Sequence, residues 1–418
     1  MLLFFIFMGF LVLGVPIAIV IGITAVAGLM SSGINMQIAA QRMFSGVDSF
    51  TLMSIPFFIF AGDIMLKGGT SKRLIKFANT AFGWITGGVS VTAVASCMLF
   101  SALSGSSPAT VAGVGTIMIP NLIENKYPKK FAVGLLCAAG SLGIILPPSI
   151  TMLAYGVIAE QSIAQLFIAS ILPGLFIGFV LIAVAVIYSK VHKLPTNDRP
   201  AFGEVLKAFG EALISLLMPV LILGSIYAGI ATVTEAAAVA IVYSLVVGMF
   251  VHKELKPSDI FPTAKKSVVM TSMIMFVIAA TDIFSWYLTF QQIPTMLAQA
   301  ILVYADNPIL VLLFINLLLL LVGMVVNPSA AVLVLTPLLL PIAVSIGVDP
   351  IHFGVIMIVN LAIGFLTPPA GLNLFVAVGI SKLSMTEVVK GCLPFVAALI
   401  AALMVITYVP WLSLVLLG

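Results

Sequence analysis

Two clusters of neutral oxygen donors, each followed by a pair of prolines, are the residues best suited to chemistry in this sequence. Ser104-Gly105-Ser106-Ser107-Pro108 offers three hydroxyls around a glycine that permits a tight turn, and Gly143-Ile144-Ile145-Leu146-Pro147-Pro148-Ser149 comes after it. The second half repeats the arrangement with Gly323-Met324-Val325-Val326-Asn327-Pro328 and then Gly364-Phe365-Leu366-Thr367-Pro368-Pro369-Ala370. Paired prolines remove two backbone donors and leave upstream carbonyls without helical partners. Such carbonyls, with hydroxyls, suit a hard monovalent cation such as Na⁺. A divalent ion usually recruits carboxylates, and none lies at either cluster. A helix that begins at such a break offers free amides and a positive dipole end to an anion.

The segments that position these clusters are apolar. Residues 89–103 and 109–123 flank the first cluster, and 308–322 and 329–342 flank the second. An arm of about 15 residues makes roughly 22 Å of helix, too short for a hydrocarbon core of roughly 30 Å. Each pair therefore reads as a re-entrant hairpin whose tip stops inside the membrane. The proline pairs break the next helices, 131–158 and 351–380. In lipid such a break persists only where protein or a polar cavity surrounds it. Two outer matches continue the repeat: Phe57–Asp63 with Met275–Asp282, and loosely Gly14–Ala18 with Thr232–Ala236.

Composition agrees with a membrane protein. The 418 residues are 62% hydrophobic and 8% charged, against about a quarter charged in soluble proteins. Runs such as 213–230, 309–326 and 394–416 are long enough to cross a bilayer. The first 30 residues lack a basic start and a small-residue cleavage site, so they read as embedded rather than as a signal peptide. Cys97, Cys137 and Cys392 read as small core residues, and His192, His252 and His352 have no metal-ligand spacing. The net charge of +4 indicates no nucleic-acid partner, because position matters more than sum. With spans to about residue 30 and at 50–66, 131–158, 166–189, 212–230, 234–251, 268–290, 351–380 and 391–416, 17 of the 18 Lys and Arg fall on one side, leaving only Arg42 opposite. By the positive-inside rule the crowded side is cytoplasmic. The first hairpin then enters from the cytoplasm and the second from the periplasm, so the halves are inverted and the C-terminus is periplasmic. Gly14 and Pro16 leave the first span open between one long helix and two short ones.

The expected fold is an all-α polytopic membrane protein of two inverted repeats: 1–193, a cytoplasmic linker at 194–211, and 212–418. Inverted repeats with discontinuous helices characterise secondary transporters. Asp63 and Asp282 occupy matching positions and read as structural, Asp63 lying close to Lys67; Thr234-Glu235 reads as a helix cap with an acidic first turn. Trp84, Trp286 and Trp411 read as interface anchors.

At Gly14–Ala18, Ser104–Thr110, Leu146–Ser149, Thr234–Ala238 and Thr367–Gly371 the chain resembles the large membrane subunit of the tripartite ATP-independent periplasmic (TRAP) transporters, essentially over its whole length. The resemblance implies an elevator-type, sodium-coupled importer of small organic acids such as C4-dicarboxylates, keto acids or sialic acid. It also implies a bacterial inner-membrane location, a small four-helix membrane subunit and a periplasmic substrate-binding protein as partners, and no organic cofactor. One sodium site would comprise Ser104, Ser106, Gly143, Leu146 and Pro148; the second would comprise Gly323, Val326, Gly364, Thr367 and Ala370. Substrate would lie between the tips, against Ser107, Ser149 and Asn327, the last standing where many members carry an acidic residue nearby.

The nearest competing function is a stand-alone sodium/carboxylate symporter that needs no binding protein. An intramembrane enzyme is disfavoured: the chain has no His-Glu-x-x-His, no paired aspartates at a membrane break and no Gly-x-Ser-Gly nucleophile with an in-membrane His. A channel would conduct without saturation, and a scaffold would tolerate loss of the Ser106 and Thr367 hydroxyls.

Overall fold

The computed structural model describes residues 2–196, 198–293, 295–296, 307–369 and 371–418. Among them all regular structure is helical. Among the described residues six helices are long and apolar enough to cross a membrane, or up to eight if each sharply bent pair counts as one span.

The same order occurs in both halves. In the first, Gly88–Ser104 turns at Gly105 and Ser106 into Ser107–Glu124. A helix then runs Lys129–Ile145, breaks over 146–149 and resumes as Ile150–Ile158, bent by 40°. In the second, Pro308–Gly323 turns into Pro328–Ser345, and Pro350–Gly364 breaks before Leu372–Ser381. The hairpin arms are 16 to 18 residues long, more than the 15 read from hydropathy, and Pro328–Ser345, expected to be too short, is itself one of the six helices long and apolar enough to cross a membrane. The tips consume fewer residues than their polar composition suggests, because Pro108 and Pro328 seat the outgoing helix at once. Every residue of 131–140 and of 351–364 is buried, so the two broken helices form the centre of the molecule. Glycines permit this density. Gly134 and Gly391 face each other's helix backbone, binding Lys129–Gly140 to Met385–Tyr408.

The helices up to Thr70–Phe82, with Phe202–Tyr227, Val233–Val246 and Pro257–Phe290, form an outer group, while Ile163–Val191 packs on both broken helices and on Met385–Tyr408. Leu2–Val12 and Ile17–Ser31 are separate, divided at Gly14 and Pro16. Helix Phe202–Tyr227 starts inside the stretch read as linker, and Pro257–Phe290 starts well before 268. Capping explains both early starts. Glu204 folds back to the Ala201 amide and Asp259 to the Lys256 amide, each satisfying an orphan donor. The same spacing identifies Thr232, not Thr234, as the cap of Val233–Val246: Glu235 at the third helical position returns to the Thr232 amide at 2.8 Å, while the Thr234 hydroxyl donates to the Phe50 carbonyl. Asp63 accepts from Lys266 at 2.7 Å and from Ser267 at 2.9 Å rather than from Lys67, which pairs with Asp259. With Arg73 and Lys72 on Glu254, these pairs tie helices Ser54–Lys67 and Thr70–Phe82 to residues 254–267. Asp282 lies over Gly46, Trp286 lies beneath Arg42, and Trp84 beneath Arg199.

Candidate functional site

The first tip is a cluster of oxygens closed on itself. Gly105 adopts a left-handed φ of +56° and Ser106 an extended conformation, reversing the chain in two residues. The Ser106 carbonyl accepts from the Thr110 hydroxyl at 3.0 Å and from the Ser104 hydroxyl at 3.3 Å, and the two hydroxyls are 2.9 Å apart. The broken helix closes over this cluster. A Cβ on Gly143 would fall 2.5 Å from the Ser106 carbonyl oxygen, and one on Gly105 would fall 2.8 Å from the Pro148 carbonyl oxygen. Ser104, Ser106, Gly143 and Pro148 therefore meet. The Leu146 side chain leaves the cluster and packs over Gly174. Thr110 joins it, one helical turn beyond Ser106, a position that could have been read from the i, i+4 spacing.

The second tip is built from backbone. A Cβ on Gly364 would collide with the Cα and carbonyl of Gly323, so the arm and the broken helix touch main chain to main chain. Val326 ends the tip, its amide bonded to the Val322 carbonyl at 2.8 Å. The Thr367 hydroxyl donates back to the Ile363 and Gly364 carbonyls at 3.0 and 3.2 Å. The carbonyls of Phe365 and Thr367 converge on Gly371, where a Cβ would lie within 2.9 Å of both. Ala370 lies outside the described residues. The Pro147–Pro148 and Pro368–Pro369 peptides are both cis.

Both tips and both breaks border one cavity of about 270 Å³. Gly105, Ser106 and Pro108 line it from the first hairpin, Asn327 to Ala330 and Leu333 from the second, Ile144, Ile150 and Thr151 from one broken helix, and Phe365 and Leu372 from the other. Met270, Met273, Ile274 and Val277 of Pro257–Phe290, with Ile17, supply an apolar wall. Among the described residues, none that lines it is charged. Four helices begin at its edge, at Ser107, Ile150, Pro328 and Leu372, and four end beside them, at Ser104, Ile145, Gly323 and Gly364, so positive and negative dipole ends meet there. Of the three residues expected to touch substrate, Asn327 lines the cavity, its side-chain oxygen accepting from the Ser329 amide at 3.0 Å. Ser149 is buried as a helix cap, donating to the Ile144 carbonyl at 2.7 Å and accepting from the Met152 amide. Ser107 is buried behind the tip, against Asn373.

Each hairpin also reaches across the molecule. The outgoing arm Ser107–Glu124 packs on Leu372–Ser381, the resumed half of the other broken helix, and Pro328–Ser345 packs likewise on Ile150–Ile158. Thr151 and Ser329 hydroxyls stand 3.5 Å apart at the second crossing. The model of the family described as the tripartite ATP-independent periplasmic transporter DctM component matches residues 4–412.

The chain belongs to that family. It is 41% identical to the C4-dicarboxylate TRAP transporter large permease protein DctM of Vibrio cholerae, over 99% of this chain and 96% of that protein. It is 36% identical to the sialic acid TRAP transporter large permease protein SiaM of the same organism, over 98% and 96%. The isethionate TRAP transporter permease protein DctMQ of Oleidesulfovibrio alaskensis is 43% identical over 96% of this chain, which covers 64% of that longer protein. Among solved structures, the Alcanivorax borkumensis YdaH transporter aligns with a TM-score of 0.57 and 13% identity over 86% of each chain, a likeness of fold. The TRAP large permease is thus a multi-pass membrane transporter component and not an enzyme.

Proposed function

We propose that this TRAP large permease imports a small organic acid across the bacterial inner membrane with sodium as the coupling ion, by an elevator movement of its hairpins and broken helices. The observation that carries the reading is the shared cavity, which among the described residues has no charged lining and has four helix N-termini at its edge. An anion there is neutralised by dipole ends and by cations held in the adjoining carbonyl and hydroxyl clusters. Sodium occupies the Ser104–Ser106–Gly143 cluster and the Gly323–Gly364–Thr367 cluster, with Val326, Leu146 and Pro148 supplying further carbonyls. Substrate rests against Asn327 and the tips. The halves are inverted repeats, the Lys- and Arg-rich ends face the cytoplasm, and the C-terminus faces the periplasm. The apolar wall of Met270, Met273 and Val277 belongs to the static outer group, past which the hairpins slide.

A small membrane subunit and a periplasmic binding protein complete the transporter, as the tripartite family name implies. The transported acid is of the kind the relatives are named for: a C4-dicarboxylate, a sialic acid or isethionate. Uptake into proteoliposomes, driven by a sodium gradient with the binding protein outside, tests the reading. Ser106→Ala and Thr367→Ala should each raise the sodium concentration needed for half-maximal uptake. Unchanged sodium activation in both overturns the ion assignment, and full activity without any binding protein favours the stand-alone symporter.

A further inference from the structure

Asn373 stands at the first crossing between the halves, in a position the transport reading leaves without a role. It is completely buried, as are Ser107 and Cys137 around it. Its side-chain nitrogen lies 2.8 Å from the Ser107 hydroxyl and donates to the Cys137 carbonyl at 3.2 Å, and its side-chain oxygen lies 3.0 Å from the same hydroxyl. The Cys137 thiol donates in return to the Asn373 carbonyl at 3.7 Å. An amide sealed from water and lipid is costly unless all its groups are paired, so this arrangement holds one geometry.

The partners matter because each is joined by a short stretch of backbone to an oxygen cluster. Ser107 succeeds Ser106, whose carbonyl meets Gly143; Cys137 is on the helix that carries Gly143. Asn373 is itself carried by the segment that leaves Thr367 and Gly371, where the second oxygen cluster lies. One side chain therefore grips both walls of the first cluster from the backbone that forms the second. A cation held by the Phe365 and Thr367 carbonyls would fix the backbone at Gly371 from which Asn373 is carried, and Asn373 in turn holds Ser107, the residue after Ser106.

We infer that Asn373 is a positioning residue that couples the two sodium sites and makes sodium binding cooperative. The inference rests on the sodium reading above. Linkage requires the coupling to run both ways.

The test is direct binding of radioactive sodium to the purified full-length chain in lipid nanodiscs, with choline holding ionic strength constant. The unaltered protein should bind two sodium ions with a Hill coefficient above about 1.5. Asn373→Ala should still bind two at saturation, with the coefficient reduced to about 1. Ser107→Ala removes the same link from the other side with a smaller change of volume. It should show the same reduction, and the double variant should go no lower, because the effects of a shared contact do not add. An unchanged coefficient in a folded Ser107→Ala or Asn373→Ala protein overturns the inference and leaves the sodium reading standing. Absence of sodium binding in the unaltered protein overturns the sodium reading itself.

Discussion

Gly364 meets Gly323 backbone to backbone, and a Cβ is crowded on Gly323 but excluded on Gly364. Added to Gly364, the atom would stand 2.5 Å from the Gly323 Cα; added to Gly323, it would stand 3.2 Å from the Gly364 Cα. The first substitution must part the arm from the broken helix, and the second needs a shift of tenths of an ångström. Gly364→Ala should cost about 1–3 kcal/mol of stability, the usual penalty of overpacking, and abolish most of the proposed sodium-driven uptake. Gly323→Ala should be clearly milder on both counts. Melting temperature and initial uptake rate, measured side by side, check the order.

Thr110 closes the motif at 104–110 and joins the first cluster, although the expected site residues do not include it. Its hydroxyl, 3.0 Å from the Ser106 carbonyl, helps hold the tip oxygens together. Thr110→Val keeps the shape and removes the hydrogen bond, a net loss of about 1 kcal/mol. Felt wholly by the sodium-bound tip, that loss corresponds to roughly a fivefold higher sodium concentration for half-maximal uptake, and Thr110→Ser should restore the lower requirement. An unchanged sodium requirement in the valine variant would show that the hydroxyl takes no part.

A second buried polar group holds the second hairpin. Asn316 accepts from Asn360 at 2.7 Å and donates to Thr407 at 3.1 Å, joining Pro308–Gly323 to Pro350–Gly364 and Met385–Tyr408. Asn316→Leu leaves the Asn360 amide with its bond to the Ile356 carbonyl alone. Hydrogen bonds between membrane helices contribute about 0.6–1.7 kcal/mol. A melting temperature lower by roughly 2–4 °C is expected, read by thermal unfolding in detergent.

The ion pairs at one end of the outer helices set an acid dependence. Hydrogen bonds from Arg73 and Lys72 hold the Glu254 carboxyl below its ordinary value of 4.5. A carboxyl with a depressed folded value stabilises the fold fully above the ordinary value, and that contribution disappears as pH falls through the depressed one. Stability should therefore decline below about pH 4.5, and Glu254→Gln should flatten that decline while changing the melting temperature little at neutral pH, since exposed pairs contribute modestly. Melting curves from about pH 7 to about pH 3 decide it. An acid limb as steep in the glutamine variant would assign the decline elsewhere.

Much of this molecule is set by local rules. Pro147-Pro148 and Pro368-Pro369 cannot continue a helix, Gly105 can turn where other residues cannot, and the excess of apolar residues requires lipid. These are properties of a residue and its immediate neighbours, so the breaks, the tips and the membrane class stand in the sequence itself. The motifs at 104–110, 146–149 and 367–371 carry the family for the same reason. Where each hydroxyl points is a different matter. Ser107 and Ser149 sit at the breaks, as a substrate contact would, yet one binds Asn373 and the other caps its own helix. A buried hydroxyl takes whichever partner the packing brings within reach, and for Ser107 that partner lies 266 positions along the chain. Asp63 likewise turns from nearby Lys67 to Lys266 because the outer helices cross there. Sequence proximity cannot state which hairpin crosses to which half; that is decided by packing, which closes the helices around the buried segments 131–140 and 351–364 and sets each outgoing arm against the resumed half of the other broken helix.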